Sequence, residues 1–380
     1  MLGMLASACS GGRDRPDPAD QVGVDPGPKD DGGIGIDVPQ AACGEFCGET
    51  FLQEVLQPPN LYFVIDRSGS MEGSVGGGST RTKLQAARAV ISELLRNIGH
   101  RVRYGGAVFP SFEAPEECRP GTEFFPATLG SLPACGEREN PQLTEFSRRL
   151  GAFLPEGGTP TSLTLNALRP TLEELEGRTA VVLITDGAPN CNGEASCDAE
   201  DCTLNIEQAA FGNQLCSDTF NCCDPANTGE GSNAYCVDAD ETESAVLELA
   251  ESGISTYVVG MPGAEAYAAL LGRLAQAGGR PREGKLPYYA TTDEDELREA
   301  LYAIGTGFAI RCEIDLESAP DDPDFVNVYF DGELVPQDAE DGWSWVGDSR
   351  IVVNGDACTD LRSGEILEAR AVFGCETVVR

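Results

Sequence analysis

The 380 residues carry 26 Lys plus Arg against 63 Asp plus Glu, a formal charge of −37 on a chain long enough for roughly two domains. From Thr179 to Gly272 there is no basic residue against sixteen acidic ones, which excludes nucleic acid and disfavours anionic membrane surfaces, since both are gripped by Lys and Arg clusters. Hydrophobic content of 41% supplies a sizeable core, and no run approaches the ~20 apolar residues of a membrane span.

Fifteen cysteines accompany a single histidine, His100, and no C-x2-C knuckle occurs, so disulfides explain the cysteines better than zinc does. That many oxidised thiols imply maturation in a periplasm or outside the cell. Residues 1–9 run Met-Leu-Gly-Met-Leu-Ala-Ser-Ala before Cys9, a short apolar stretch ending in small residues. It resembles the cleavage box of bacterial lipoproteins, although it lacks a basic start and has Ala6 where the box prefers Leu. Lipidation of Cys9 leaves an even fourteen cysteines. The resemblance implies a bacterial cell envelope location, lipid-anchored at the outer membrane, or secretion; the lipid is then the only membrane contact. Residues 10–41 are rich in Gly, Pro and Asp and read as a disordered linker.

A domain over residues 42–309 follows. Leu61 to Ile65 is a buried strand, Lys83 to Ile98 a helix and Val102 to Phe109 a second strand. A helix over Thr161 to Leu175, the run Ala180 to Ile184, a helix over Glu241 to Glu251 and the run Ile254 to Val259 continue the alternation. Helices over Ala264 to Ala277 and Glu294 to Ile304 close it around a short strand near Tyr288. Short apolar strands alternating with helices predict an α/β fold with a doubly wound, mostly parallel sheet. Residues 189–240 interrupt it with a Cys-rich insertion holding seven cysteines. Residues 310–380 turn to period-two patterning, and Asp331-Gly332 and Asn354-Gly355 predict hairpin turns in a small β unit stapled by Cys312, Cys358 and Cys375. Cys118 and Cys135 bracket a long loop after Phe109 and are expected to pair. Seven insertion cysteines against seven elsewhere require at least one bridge between the two sets.

The first strand ends in Asp66-Arg67-Ser68-Gly69-Ser70, at the carboxyl edge where open α/β sheets place ligands. Over a sharp loop this D-x-S-x-S spacing lets one carboxylate and two hydroxyls converge on a hard cation, and Asp66 is expected at a solvent-facing strand end. Gly157-Gly158-Thr159-Pro160-Thr161 precedes a helix, and Ile184-Thr185-Asp186-Gly187 ends the second hydrophobic strand. Taken together, the three motifs resemble the von Willebrand factor type A domain and its metal-ion-dependent adhesion site, over about Asn60 to Gly307. The resemblance implies that Ser68, Ser70 and Thr159 are direct hydroxyl ligands, that Asp66 and Asp186 bind directly or through water, and that Thr161 is a weaker substitute for Thr159. An all-oxygen set suits Mg2+, with Ca2+ or Mn2+ as alternatives. In the family such a metal accepts an Asp or Glu side chain from a protein partner.

Competing chemistry is poorly represented. Gly73 to Thr80 is Gly-rich and Lys83 follows, but the G-x-x-x-x-G-K-[ST] frame of a phosphate loop is missing. A catalytic triad would need His100, which falls after the first helix with no nucleophile pattern beside it and is expected at the surface. Trp343 and Trp345 alternate and so share one face, read as packing rather than as a carbohydrate platform. The expected function is therefore a non-enzymatic, cation-dependent protein-binding module of adhesion or scaffold type; the alternative is a structural envelope protein whose metal only stabilises the fold.

Overall fold

The computed structural model describes residues 49–52, 58–113, 118–132, 140–316, 319–363, 366 and 369–379. Cys9, the linker 10–41, Cys43, Cys47 and Cys135 lie outside them. In chain order the first half comprises β1 (Glu49–Leu52), β2 (Asn60–Asp66), α1 (Lys83–Ile98), β3 (Arg103–Phe109), β4 (Thr122–Leu129), α2 (Pro141–Gly151), α3 (Thr161–Glu173) and β5 (Thr179–Thr185). The insertion holds α4 (Thr203–Ile206), the two-residue strands β6 (Ala210–Phe211) and β7 (Gln214–Leu215), and α5 (Pro225–Thr228). Next come α6 (Ala239–Glu251), β8 (Ser255–Gly260), α7 (Ala268–Ala277), β9 (Tyr289–Ala290) and α8 (Glu294–Ala309). The C-terminal part has β10 (Glu313–Asp315), β11 (Val326–Phe330), β12 (Glu333–Val335), β13 (Gly342–Val346), β14 (Arg350–Asn354), α9 (Gly355–Ser363) and β15 (Ala369–Phe373).

The central sheet has the order β4-β3-β2-β5-β8-β9 and is parallel except for the edge strand β4. β2 and β5 are buried along their whole length, as expected where helices cover both faces. Alternate residues of β2 divide between two cores: Leu61, Phe63 and Ile65 pack with α1, α2 and α8, while Tyr62 and Val64 pack with α3, α6 and α7. This is the doubly wound arrangement. The capping box of α1, with Gln85 N–H on Thr82 Oγ1 at 3.2 Å and Thr82 N–H on Gln85 Oε1 at 3.0 Å, fixes where that helix begins.

The Cys-rich insertion folds around sulfur. Cys197–Cys236, Cys202–Cys223 and Cys216–Cys222 pair within it, and Cys202, Cys216, Cys222, Cys223 and Cys236 form its buried centre. The bridge required between the two cysteine sets is Cys118–Cys191, which corrects the expected Cys118–Cys135 pair. The reason is topological: the loop after β3 meets the chain leaving β5 at the same sheet edge, so Cys118 finds Cys191 rather than its neighbour in sequence.

Two small sheets, of order β1-β15-β11-β12 and β10-β14-β13, make up the C-terminal part. Asp331 (φ 48°) and Gly332 (φ 87°) turn the β11–β12 hairpin as predicted. Asn354-Gly355 does not turn a hairpin. Gly355 (φ 63°) starts α9 instead, where a Cβ would strike Glu340 O at 2.3 Å, and α9 carries Cys358 to its disulfide with Cys312. Trp343 and Trp345 share a face, with ring centroids 5.7 Å apart; Trp343 is fully buried and donates to Val335 O at 3.1 Å. His100 is half-buried rather than superficial, with Arg101 Nε donating to its Nε2 at 3.1 Å.

Candidate metal site

Asp66 ends β2 and Asp186 directly follows the adjacent β5, so the parallel pairing of Ile65 with Ile184 delivers both carboxylates to one sheet edge. Neither faces solvent: Asp66 is 0% and Asp186 3% exposed, which corrects the expected solvent-facing position of Asp66. The chain then tightens into a 3-10 turn over Gly69–Glu72, folding Ser68 and Ser70 back over the strand end. Asp66 Oδ1 accepts the Ser68 N–H at 2.7 Å and its Oδ2 accepts the Thr185 hydroxyl at 2.6 Å. Asp186 Oδ1 accepts the Ser70 hydroxyl at 2.7 Å, and the Ser68 and Ser70 hydroxyls lie 3.1 Å apart. Four of the five predicted residues, Asp66, Ser68, Ser70 and Asp186, thus form one hydrogen-bonded cluster.

Thr159 joins through the backbone. Gly69 N–H donates to Gly157 O at 3.0 Å, which holds the Gly-Gly-Thr loop against the serine turn. Asn190 grips Thr159 from the other side, its Oδ1 accepting Thr159 N–H at 2.8 Å and its own N–H donating to Thr159 O at 2.9 Å. The Thr159 hydroxyl makes no hydrogen bond to the other four side chains. Thr161 begins α3 and turns its N–H back onto Thr159 O at 2.8 Å. The Cys118–Cys191 disulfide rests on this loop, since a Cβ on Gly158 would meet Cys191 Sγ at 2.6 Å.

Sequence reasoning missed several residues that shape the edge. The buried Arg67, the variable position of D-x-S-x-S, donates from Nε to Leu154 O at 2.8 Å and from Nη1 to Pro110 O and Ser111 O at 3.2 Å each, pinning two neighbouring loops. Lys83 places Nζ 2.5 Å from Asp186 Oδ2. A signal existed for Lys83: it opens a helix, where the dipole disfavours a cation, so something else must hold it. From the insertion, Glu207 Oε1 accepts the Tyr267 hydroxyl at 3.1 Å. Partial desolvation raises the Glu207 carboxyl pKa; the Tyr267 bond opposes this, and the charges of Asp186 and Lys83 are both felt there. The insertion therefore stands at the rim of the site, as expected.

Burial, and after it the charge of Asp186, push Asp66 up to about 7 against the bonds from Ser68 and Thr185. Two buried carboxylates share this edge with the single ammonium of Lys83, an excess of negative charge that a divalent cation would relieve. With hydroxyl and carboxylate oxygens and no imidazole or thiolate, the donor set fits a hard ion such as Mg2+, Ca2+ or Mn2+. Among the described residues the sulfurs of Cys197, Cys223 and Cys236 also converge, within 4.8 Å, but all three belong to disulfides and supply no thiolate.

No family model matches the chain, and no curated protein sequence does. Solved structures to which it is similar include the PilB minor pilin from Streptococcus sanguinis, at 17% identity over 70% of this chain and 62% of the pilin, with a TM-score of 0.41. The pilus adhesin SpaC from Lactobacillus rhamnosus GG matches at 15% identity over 84% of this chain and 39% of SpaC, with a TM-score of 0.46. The vWF domain of the type V pili tip protein Mfa5 from Porphyromonas gingivalis matches at 14% identity over 67% of this chain and 97% of that domain, with a TM-score of 0.39. The chain thus spans less than two thirds of the pilin and of SpaC. These are similarities of chain path alone. The sheet order and the helices on both faces define a doubly wound, mostly parallel α/β fold.

Proposed function

We propose that this protein is a divalent-cation-dependent protein-binding module of adhesion or scaffold type, working at the bacterial cell envelope through a lipid on Cys9 or as a secreted protein, and that it is not an enzyme. The observation that carries the reading is the convergence of Asp66, Ser68, Ser70 and Asp186 on one sheet edge, with Thr159 held beside them. Asp66 and Asp186 would supply the charge that retains the ion, and Ser68, Ser70 and Thr159 neutral oxygens. When bound, Mg2+, Ca2+ or Mn2+ supplies an electrophilic position open to an Asp or Glu side chain of a protein partner. The residues of the chain itself do the orienting. Thr185 and the Ser68 N–H fix both oxygens of Asp66, Arg67 fixes the loops, and Asn190 with the Cys118–Cys191 disulfide fixes the Thr159 loop.

Calorimetric titration of Mg2+ into the intact protein, followed by capture of partners with and without chelator, tests this. Saturable binding lost in Asp66→Ala, together with a partner released by chelator, is the expected result. A cation that binds and raises Tm while every partner survives chelation would favour a purely structural metal instead.

A further inference from the structure

Lys83 is the one described cation in contact with the carboxylates of the site, and it is built in rather than draped over it. Its side chain is 10% exposed and that of Asp186 0%, with Nζ and Oδ2 2.5 Å apart. Two glycines form its socket. A Cβ on Gly73 would meet Lys83 Cε at 3.0 Å, and one on Gly263 would meet Nζ and the Asp186 carbonyl oxygen at 3.2 Å each. The Lys83 N–H donates to Gly73 O at 2.9 Å, tying the base of the side chain to the same loop. Asp186 is consequently divided, with one oxygen on the lysine and the other on the Ser70 hydroxyl at 2.7 Å.

The charge balance of this arrangement has a functional sign. A divalent ion held by Asp66 and Asp186 alone would form a neutral site. The ammonium of Lys83 adds one positive charge to that balance, against which Glu207 stands at the rim and the Arg67 guanidinium beside Asp66 is offset by Glu156. Like charges at contact range oppose entry of the metal, while an added positive charge at the edge favours an incoming anion. We infer that Lys83 is a specificity-determining residue of the site: it weakens cation binding and in exchange strengthens capture of a carboxylate by the loaded edge. The inference rests on the metal-binding reading above and adds to it a reason why the partner group is anionic. It also eases the approach of an anionic ligand to a chain of net charge −37, because Lys83 makes this edge less negative than its carboxylates alone would.

The test compares the intact protein with Lys83→Met and Lys83→Gln, titrated with Mg2+ and then with Mg2+ in the presence of acetate as the carboxylate probe. Both variants should bind Mg2+ at least about tenfold more tightly than the parent, the scale set by removing a unit charge at contact range. Acetate should tighten Mg2+ binding by the parent, through reciprocal linkage, and tighten it less in the variants. Variants that bind no tighter, or that respond to acetate as the parent does, overturn the role of Lys83 and leave the metal site standing. Absence of Mg2+ binding in parent and variants alike overturns the site itself. Binding by the variants only supports the inference, since the ammonium then outcompetes the metal. If the variants unfold in chelator, the Mg2+ concentration at which they refold is set against the parent's Mg2+ affinity: a clearly lower concentration supports the inference, and an equal or higher one counts against it.

Discussion

Replacing Asp66 by Asn should stabilise the metal-free protein while abolishing cation binding. A carboxyl that ordinarily titrates near 3.8 is held at about 7 by burial and by Asp186, so ionised Asp66 costs the metal-free fold about 4 kcal/mol at pH 8. Asn removes that cost. It retains the acceptor for the Ser68 N–H, and the Thr185 hydroxyl can rotate to accept from the new amide, at a loss of about 1 kcal/mol for imperfect geometry. The net gain is about 2–3 kcal/mol. The sign with pH follows from a folded-state pKa above the unfolded one: stability of the metal-free parent is greatest below about 4, falls as pH rises towards about 7, and levels off above that, so the step from pH 6 to pH 8 captures its final part. Urea denaturation in chelator at pH 6 and pH 8 measures both effects. The parent should lose stability between the two values, Asp66→Asn should change little, and the variant should be the more stable at pH 8. A variant less stable than the parent at pH 8 would refute the claim that the two carboxylates strain the metal-free edge.

Three further outcomes are expected. Gly158→Ala should weaken Mg2+ binding at least about tenfold and cost about 1–3 kcal/mol, because its Cβ would lie 2.6 Å from Cys191 Sγ and the Thr159 loop must shift; unchanged affinity by calorimetry would remove Thr159 from the site. Partner association in saturating Mg2+ should quicken as monovalent salt is raised, since a net charge of −37 repels an acidic ligand at long range and a Debye length of about 8 Å at physiological salt mutes distant charges; stopped-flow rates that fall with salt would mean a basic partner surface instead. Reduction of the disulfides should release the amides of the insertion to hydrogen exchange while β2 and β5 stay protected, because the insertion is centred on cystines and those strands on two apolar cores; simultaneous loss of protection in both would show that the insertion is not a separate cooperative unit.

What the sequence revealed was whatever depends on neighbours along the chain. The runs at Leu61 and Ala180 are apolar on every residue, which only strands covered on both faces sustain, and the observed strands β2 and β5 exceed those runs by a single residue at each end. The D-x-S-x-S spacing and the Asp-Gly turn at 331–332 are local geometry and were equally legible. What escaped depends on distant partners. Cys118 could not be matched to Cys191 because cysteine spacing carries no information about which loops share a sheet edge. The edge strand β4 and strand β1 lack the long apolar signature of central strands, and β1 exists through its pairing with β15, more than three hundred residues away. Lys83 leaves only an indirect local sign, a cation at a helix start, because the carboxylate it meets, Asp186, follows β5 more than a hundred residues away.

The pairing of β1 with β15 also bears on how the molecule carries load. Tension arriving from upstream of Glu49 meets a four-residue ladder at the edge of a small sheet before it reaches Asn60, the start of β2. A load held at the opposite end, at Asp66, would pull β2 along its own axis between β3 and β5. There the flanking ladders resist in shear, with many hydrogen bonds strained together, whereas an edge ladder can peel apart one pair at a time. The short ladder is thus placed to yield before the ladders that flank the strand ending in the site.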